Sequence, residues 1–523
     1  MSFPLRFTPL RLPLGLGDRD EQERYRIARW FRRDAPPVTI LAPGDPLTAP
    51  PGHDVAILGG EPGEHCVTVL QHTAHDIGAP IVAGMVVGES IVAAGVCRDH
   101  RDPGTLRARY AGRPPSHGPA KVPGPVLAAA PECVLVTAAA LEDAPLHELC
   151  ARVWERGEEV AYTPLAQVHT TAPAAALPAL PPGPRPVRTA AGALRVVYVT
   201  EETGVGGGHR DVFEHVNRLT ARGHDVSLFT LGEQPTWFDL DIGVTTFAGY
   251  DELVAALREL DAIKVATWWE TAPHVWRASV ARGVGVYFVQ DVETSYYPNN
   301  PLMQHRVLDT YRNEFRYMTI SGYNREGLAE LGLDAELVAP GIDLETFRPL
   351  GRERRADMLL AAGRTNPLKN LDLTLDAWKA LPEPRAEMCL FGIEPELGPR
   401  HGARYVERPT DSELNELFNE ATIFLQTSRH EGFALPPLEA MATGGAVICT
   451  DAHGNRDFCE DGVNCLMPEP TPESVRGAIE RLLGDPELRG RLGRAGIRTA
   501  ADYAWERRID QLESVLGALA GPA

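Results

Sequence analysis

Residues 421–451 constrain the fold of this chain more than any other stretch; they read ATIFLQTSRHEGFALPPLEAMATGGAVICTD. Ala421–Gln426 has the apolar and β-branched content of a buried strand, and a second apolar run follows at Ala446–Cys449. Between them, Pro436–Pro437 suits the first turn of a helix, where a missing N–H costs nothing. Gly444–Gly445 ends that helix, because glycine adopts the left-handed conformation easily. The segment therefore predicts strand, loop, helix and strand in an open parallel sheet, where ligands bind beyond the carboxyl ends of strands.

Two carboxylates stand in this unit. Glu431 lies in the predicted loop, and Glu439 lies in what we expect to be the first turn of the helix. An ionised carboxylate can accept hydrogen bonds from two adjacent hydroxyls, and the free N–H groups of residues 432–435 predict an anion site between the acids. Hydroxyls at both ends and phosphate in the middle describe a nucleotide sugar. The alternative is that Glu439 caps the helix and Glu431 is a solvated loop acid.

The segment EGFALPPLEAMATGGAVICTD resembles the donor site of glycosyltransferase family 4. The resemblance spans about residues 194–520 and implies the α/β GT-B fold, in which two Rossmann-like domains face each other across a cleft. It implies that Glu431 touches the transferred sugar and that Glu439 holds the ribose diol. It also implies that the donor contacts the residues between them, namely Gly432, Phe433, Ala434 and Leu435.

A predicted strand at 358–363 is followed by the loop GRTNPLKN. By the same resemblance, Arg364 and Lys369 in this loop hold the diphosphate and act with Glu431 in catalysis. The chemistry needs such cations, because breaking the sugar–diphosphate bond adds charge to the leaving phosphate. The alternative is two solvated basic residues after a strand.

A glycine-rich stretch, Gly204–Arg210, follows a predicted strand at 194–200 and precedes a predicted helix. Glycines there allow close backbone approach to a ligand at a helix N-terminus. The stretch fails as a dinucleotide fingerprint, since His209 occupies the third glycine position. Beside the Glu431 segment it resembles the family 4 loop at the donor diphosphate, which implies that Gly207 and Gly208 bind the donor. Arg408 and Pro409 lie where that family holds the nucleotide base.

Gln290 and Asp291 follow a strand-like run at 286–289 and are predicted to contact the donor sugar or the acceptor. Many family 4 enzymes place a histidine at the position of Gln290, where it reaches the O6 hydroxyl of the donor. A 6-deoxy sugar has no such hydroxyl, and the sequence FVQDVE resembles rhamnosyltransferases of bacterial polysaccharide assembly. A dTDP-rhamnose-type donor is therefore our hypothesis.

The N-terminal part ends in HELCARVWERGEEVAYTPLAQVH, for which we predict a helix at 145–157 and a strand at 160–169. This stretch resembles the end of a glycosyltransferase family 2 domain, although Pro145 and Leu146 stand where the catalytic Glu-Asp pair would align. The Asp-x-Asp triplet at residues 18–20 has no strand leading into it. We interpret the part as a remnant without its own catalysis; a shortened but active domain is the alternative.

Four regions are predicted. Residues 1–190 form the family 2-like module with a proline-rich linker, and 191–349 form the N-terminal Rossmann-like acceptor domain, ending in a family 4-like hinge at 338–349. Residues 350–500 form the nucleotide-sugar domain. Residues 501–523 form a terminal helix that packs back on the N-terminal Rossmann-like domain.

Charge and cysteine content narrow the function classes. The chain has 51 basic and 71 acidic residues, a formal charge of −20, which argues against a nucleic-acid binder. No apolar run approaches membrane-spanning length, and the eight cysteines show no CxxC pairing, so we expect a cytoplasmic protein with reduced thiols and at most peripheral membrane association.

The sequence as a whole predicts a retaining hexosyltransferase. The donor is a nucleotide sugar, the acceptor a saccharide or lipid-linked glycan, and polysaccharide biosynthesis the setting, with no cofactor and no metal. A catalytically inactive glycan- or partner-binding scaffold on the GT-B fold is the alternative. A phosphorylase-like enzyme would need a lysine-bound pyridoxal phosphate, for which no residue argues.

Overall fold

The computed structural model describes residues 35–102, 104–173, 175–178, 189 and 192–520. The Asp-x-Asp at 18–20 and most of the proline-rich stretch lie outside these residues. The described chain contains three large sheets, one mixed and two parallel, together with a two-stranded ribbon. We call the part with the mixed sheet the N-terminal module and the parts with the parallel sheets the first and second lobes.

The N-terminal module holds an eight-stranded mixed sheet of order β1-β2-β9-β4-β10-β3, with β5 paired to β4 and β8 to β10, beside a β6-β7 ribbon. The predicted helix at 145–157 and the strand at 160–169 are confirmed. The strands are β1 Val38–Leu41, β2 Asp54–Leu58, β3 Glu61–Pro62, β4 Ile81–Val87, β5 Ile91–Ala94, β6 Val96–Arg98, β7 Leu106–Ala108, β8 Gly124–Pro125, β9 Cys133–Val136 and β10 Val160–His169, and the helices are α1 Cys66–Ile77 and α2 Leu146–Glu155.

The first lobe is a seven-stranded parallel sheet of order β13-β12-β11-β14-β15-β16-β17. Its strands are β11 Arg195–Thr200, β12 Asp225–Thr230, β13 Thr245–Thr246, β14 Ile263–Ala266, β15 Val284–Val289, β16 Arg316–Thr319 and β17 Ala335–Leu337. Its helices are α3 Gly207–Ala221, α4 Tyr250–Arg258, α5 Ala272–Ser279, α6 Pro301–Thr310 and α7 Gly322–Glu330. The predicted loop over Gly204–Arg210 is too long, because helix α3 already begins at Gly207.

The second lobe is a five-stranded parallel sheet of order β20-β19-β18-β21-β22. Its strands are β18 Arg355–Ala362, β19 Glu387–Gly392, β20 Arg404–Glu407, β21 Ala421–Gln426 and β22 Ala446–Cys449. The helices from here on are α8 Leu371–Lys379, α9 Leu397–His401, α10 Asp411–Glu420, α11 Leu435–Ala442, α12 Pro472–Gly484, α13 Pro486–Ala501 and α14 Trp505–Ala520. In the described part of the chain, every helix is too short or too polar to cross a membrane.

Alternating side chains of the central strands divide the core into layers. In β11, Val196 and Tyr198 enter the apolar cluster shared with the second lobe, whereas Val197 and Val199 enter the cluster shared with the N-terminal module. Successive residues of a strand point to opposite faces, so each face of this buried sheet carries its own core. In β18 the same alternation separates Leu360 from Leu359, which lies in a third cluster on the outer side of the second lobe.

The N-terminal module and the first lobe share one apolar cluster. At their boundary, Trp154 of α2 packs edge-on against Trp276 of α5, with 5.3 Å between ring centroids. The Arg312 guanidinium lies 3.8 Å from the centroid of the Trp276 ring and donates to the carbonyl of Pro125 at 2.9 Å. The module is thus joined to the lobe by a continuous core.

Helix α14 returns to the first lobe. Arg222, just after α3, donates to the Glu513 carboxylate at 2.6 Å, and His224 approaches the other carboxylate oxygen at 3.0 Å. The Gln511 amide donates to the carbonyl of Leu337 at the end of β17. Helix α14 follows the second lobe in sequence, and these contacts attach it to the first lobe.

Candidate functional site

Two loops lie side by side at the carboxyl edge of the second sheet. One follows β18 and the other follows β21, and these strands are neighbours. The Thr427 hydroxyl donates to the carbonyl of Asn370 at 3.0 Å, and the Arg429 N–H donates to the carbonyl of Leu368 at 2.8 Å. Parallel neighbours thus bring the predicted cation loop and the predicted acid loop into direct contact.

The Glu431 carboxylate is fixed on both oxygens. Lys369 Nζ donates to Oε2 at 2.6 Å, while Gln426 Nε2 and Ser428 Oγ donate to Oε1 at 3.0 and 2.7 Å. The side chain is 9% exposed, so its ordered partners replace most of its water. The structure therefore brings Lys369 and Glu431 together. Sequence reasoning missed Gln426 and Ser428, although both lie at the carboxyl end of a buried strand.

Arg364 begins the loop after β18 and is half-buried. Its guanidinium makes no hydrogen bond or ion pair with another described residue. A Cβ placed on Gly392 would lie 3.7 Å from Arg364 Cδ, so the arginine stem runs along the backbone at the end of β19. Its charge is left for a ligand or for water.

Glu439 is the fifth residue of α11, so its predicted position in the first helical turn is wrong. The helix begins at Leu435, before the Pro-Pro pair, which moves the acid into the second turn. Glu439 is 6% exposed, and burial raises the pKa of its carboxyl to about 7, with the charge of Arg210 opposing the shift. The acid thus titrates near neutral pH.

Arg210 is a site residue that sequence reasoning missed. It lies on α3 of the first lobe, and its Nη1 donates to Asp411 Oδ1 of the second lobe at 2.8 Å, with a second contact from Nη2 to Oδ2. Burial lowers the pKa of its guanidinium, but the ion pair with Asp411 and the nearby Glu439 together raise it above the ordinary value. Its position at the end of the glycine-rich stretch was the available signal.

Gln290 of the first lobe lies close to the second lobe. A Cβ on Gly432 would lie 2.2 Å from the Gln290 carbonyl oxygen, and one on Gly208 would lie 2.7 Å from Gln290 Oε1. A side chain cannot be accommodated at Gly432, because the clash is with backbone. The position of a Cβ on Gly207 has no atom within 4 Å, so the first turn of α3 faces open space. Gly432 therefore lies at a narrow boundary between the lobes, whereas Gly208 lies against Gln290 within the first lobe.

Asp291 is 5% exposed and already held within the chain. His430 Nε2 lies 2.8 and 2.9 Å from its two carboxylate oxygens, and the Tyr296 hydroxyl donates to it at 3.0 Å. The hydrogen bond to Asp291 raises the pKa of His430, whereas burial lowers the pKa of His453, whose Nδ1 is 3.0 Å from His430 Nδ1. His430 next to Glu431 was not singled out from the sequence.

The remaining predicted residues differ in what they can offer a ligand. Phe433 is 2% exposed and packs against Phe458 and Tyr503, so its side chain belongs to the core and only its backbone is available. Ala434, at φ 82°, is the N-cap residue of α11, which begins at Leu435. Arg408 is exposed with a left-handed backbone at φ 46°, and its N–H donates to the carbonyl of Gly392, next to half-buried Pro409.

Residues 344–499 match the family model described as glycosyl transferases group 1. The C-terminal region is a group 1 glycosyl transferase domain. This group 1 domain contains Arg364, Lys369, Glu431 and Glu439, and it begins at the predicted hinge. The match does not reach the N-terminal module, so the family 2 resemblance of that module stays a prediction.

Curated relatives share about a third of this chain. The D-inositol 3-phosphate glycosyltransferase of Frankia alni is 32% identical over 201 residues, which cover 32% of this chain and 49% of the relative. The enzyme of the same name from Streptomyces bingchenggensis is 30% identical over 211 residues, covering 34% and 46%. The chain thus spans about half the length of the curated relatives that it matches.

Solved structures show the fold. HepE of Anabaena, determined in complex with UDP-glucose, superposes with a TM-score of 0.55 at 16% identity, over 62% of this chain and 100% of that one. Sucrose-phosphate synthase from Thermosynechococcus elongatus gives a TM-score of 0.54 at 18% identity, over 62% and 99%. The two lobes therefore form a GT-B fold, with the mixed sheet added before it, and the predicted fold class is confirmed.

Proposed function

We propose that this protein transfers a sugar from a nucleoside-diphosphate sugar to a saccharide or lipid-linked glycan, with retention of anomeric configuration. The contact between Lys369 and Glu431 at the carboxyl edge of the second sheet carries the proposal. At this edge the cation can bind the diphosphate of a ligand while the neighbouring acid binds its sugar. The group 1 domain around them supports the same function.

The proposed roles follow from charge. Arg364 and Lys369 stabilise the negative charge that develops on the diphosphate as the bond to the sugar breaks. Lys369 is paired with Glu431 in this structure. When a diphosphate binds, Lys369 exchanges the Glu431 carboxylate for a phosphate oxygen. Glu431 then accepts hydrogen bonds from sugar hydroxyls, held in place by Gln426 and Ser428.

The rest of the donor is proposed to bind along the boundary between the lobes. Glu439 accepts from the ribose diol, and Arg408 and Pro409 hold the base. The diphosphate meets the N–H groups that open two helices, since helix N-termini favour anions. These residues are Gly207 and Gly208 of α3, and Gly432, Phe433, Ala434 and Leu435 before and at the start of α11. Gln290 and Asp291 are proposed to face the donor sugar or acceptor.

A 6-deoxyhexose donor such as dTDP-rhamnose is the finer proposal. Gln290 Oε1 is buried with no hydrogen-bond partner among the described residues and lies against Gly208, while its Nε2 is 3.4 Å from the carbonyl of Thr267. This amide stands where a sugar O6 contact is expected from the family resemblance. Turnover of dTDP-rhamnose supports the proposal, and turnover of UDP- or GDP-hexoses with none of 6-deoxy donors overturns it.

The test of the general function is slow hydrolysis of a panel of nucleotide sugars, which needs no acceptor. We expect Lys369→Ala and Glu431→Gln to lower kcat for the accepted donor by about a hundredfold to a thousandfold, the scale of losing one group that stabilises transition-state charge. Lys379→Ala at the end of α8 and Glu416→Gln on α10 are the matched controls, since both side chains are exposed. Their kcat should equal that of the wild type.

A failed test has a definite meaning. If no nucleotide sugar is hydrolysed, and UDP, GDP and dTDP all leave the unfolding temperature unchanged, the protein is a scaffold on a GT-B fold. If hydrolysis occurs but Lys369→Ala behaves like Lys379→Ala, the transferase function stands and the assigned cation is wrong.

The N-terminal module is proposed to be a part of the first lobe without catalysis of its own. The shared apolar cluster and the packing of Trp154 on Trp276 support this role. We retain the predicted divisions at 190, 349 and 500 as proposals. Nucleotide-sugar turnover that persists after loss of both Lys369 and Glu431, and that needs the module, would favour the alternative of a second active domain.

A further inference from the structure

Three cysteines meet in the second lobe behind the loop that bears Glu431. Cys449 ends β22, Cys459 follows a short 3₁₀ turn, and Cys465 lies six residues further on. All three are buried, at 1%, 7% and 0% exposure. Their sulfur atoms lie within 4.8 Å of one another, and Cys449 and Cys459 are 3.3 Å apart at Sγ. We call these residues the thiol trio.

The spacing of the trio suits one thiophilic cation. A zinc ion about 2.3 Å from each of several tetrahedrally placed sulfurs requires the sulfurs to be about 3.8 Å apart. The 3.3 Å between the Cys449 and Cys459 sulfurs is shorter than that value, and no separation in the trio exceeds 4.8 Å, so small changes in side-chain torsions would bring three sulfurs onto one ion. The other close thiols, Cys66 and Cys133, form a pair at 3.9 Å with no third cysteine beside them in the described chain.

A backbone oxygen lies beside the trio. The carbonyl oxygen of Glu460 accepts from Cys465 Sγ at 3.7 Å and offers an oxygen next to the sulfurs. Thiolate ligands select soft d¹⁰ cations, and zinc takes a fourth donor such as an oxygen.

We propose that Cys449, Cys459 and Cys465 form a binding site for a soft d¹⁰ cation, with Zn²⁺ the expected ion. The site is separate from the proposed donor site, and it does not depend on the transfer reaction. The bound ion would have a structural role, because three thiolates and a backbone oxygen would fill its four coordination positions and leave none open for a substrate. Binding releases thiol protons, so affinity falls as the pH is lowered.

The cation would fix the segment that supports the Glu431 loop. The Cys459 N–H donates to the carbonyl of Asn455 at 2.8 Å, and the Asn455 amide donates to the carbonyl of Thr450 at 2.8 Å. The Thr450 hydroxyl in turn donates to the carbonyl of Ser428, whose own hydroxyl holds Glu431. A metal at the trio therefore closes a loop of ten residues against the loop of the proposed active site.

The test is titration of the reduced full-length chain with Cd²⁺ or Zn²⁺. Cd²⁺ should produce a thiolate-to-metal charge-transfer band that saturates at one ion per chain, and native mass spectrometry should show one Zn²⁺ retained. Both signals should be lost in Cys459→Ala and in Cys465→Ala. They should persist in Cys389→Ala, which removes a buried thiol of the same lobe outside the trio.

Three results overturn the site. The first is a wild-type chain that takes up neither ion at stoichiometric concentration. The second is a charge-transfer band that survives removal of Cys459 or Cys465. The third is an intact mass two hydrogens lighter with Cys449 and Cys459 oxidised to a disulfide in the isolated protein, which would assign the trio to redox chemistry. The wild-type titration decides the matter even where a variant folds poorly.

Discussion

The first lobe meets its two neighbours in different ways. Toward the N-terminal module it shares an apolar cluster, and the polar contacts there include buried ones, such as Arg109 on Asp309, which also accepts from the Tyr110 hydroxyl at 3.0 Å. Toward the second lobe it offers polar contacts at the cleft, namely Arg210 with Asp411 and Asp291 with His430. It also shares an apolar cluster with the second lobe, which includes residues of the hinge and of α14.

The charge pairs at the two boundaries differ in how easily they can be broken. Removing one partner of a buried charge pair lowers the stability of the protein by several kcal/mol. The module and the first lobe therefore separate only on unfolding. The Arg210–Asp411 pair is more exposed, so it exchanges with water or ligand at little cost, whereas the Asp291–His430 pair is as buried as Arg109–Asp309. The Arg210–Asp411 pair is therefore the cleft contact with which a substrate can most easily compete.

The largest effect is expected at the buried pair. In Asp309→Ala, the Arg109 guanidinium is left buried without its partner, and we expect unfolding free energy to fall by about 3–5 kcal/mol. The measurement is a urea denaturation curve of the full chain. Asp334→Ala is the control at the same boundary, since Asp334 pairs with Arg101 on the surface and its loss should cost at most about 1 kcal/mol. Equal losses would mean that the two parts are not joined by a buried interface.

The second effect concerns Glu439, whose folded pKa of about 7 lies above the unfolded value of 4.5. A raised carboxyl pKa adds stability that is complete below the unfolded value and is lost as the pH rises through the folded one. Relative to Glu439→Gln, the wild type should lose about 3 kcal/mol of unfolding free energy as the pH rises from 4.5 to about 7.

Denaturation midpoints at pH values of about 5 and about 8 check this window. Glu416→Gln, on the exposed face of α10, is the control and should follow the wild type at both pH values. A pH-independent difference between the wild type and Glu439→Gln would show that the buried carboxyl keeps one protonation state.

The smallest effect is expected at the pair across the cleft. Arg210 and Asp411 side chains are 22% and 44% exposed, so a double-mutant cycle with Arg210→Met and Asp411→Asn should give a coupling energy below about 1 kcal/mol. The same Arg210→Met change should raise KM for the nucleotide sugar, because Arg210 also lies near Glu439. A coupling energy as large as that of the Arg109–Asp309 pair would contradict the contrast between the two boundaries.

Strands and helices were predictable where neighbouring residues in the sequence determine them. The strands Ala421–Gln426 and Ala446–Cys449 have the predicted bounds, because apolar runs in a parallel sheet are flanked by polar loop residues. The start of α3 was placed too late, since glycines at 207 and 208 disfavour a helix locally while the lobe holds them in one. The shift of Glu439 into the second turn has a similar origin, because Leu435 precedes the Pro-Pro pair inside the helix.

By itself the sequence determined the two parallel α/β units, the position of the acid loop and the identity of the cation loop, since these follow from periodicity and from residue types close together in the chain. Only the tertiary structure decided what those loops touch. Arg210 and Asp411 are 201 residues apart, and Asp291 and His430 are 139 apart. Such pairs depend on how the lobes are packed, which no local pattern of residues encodes.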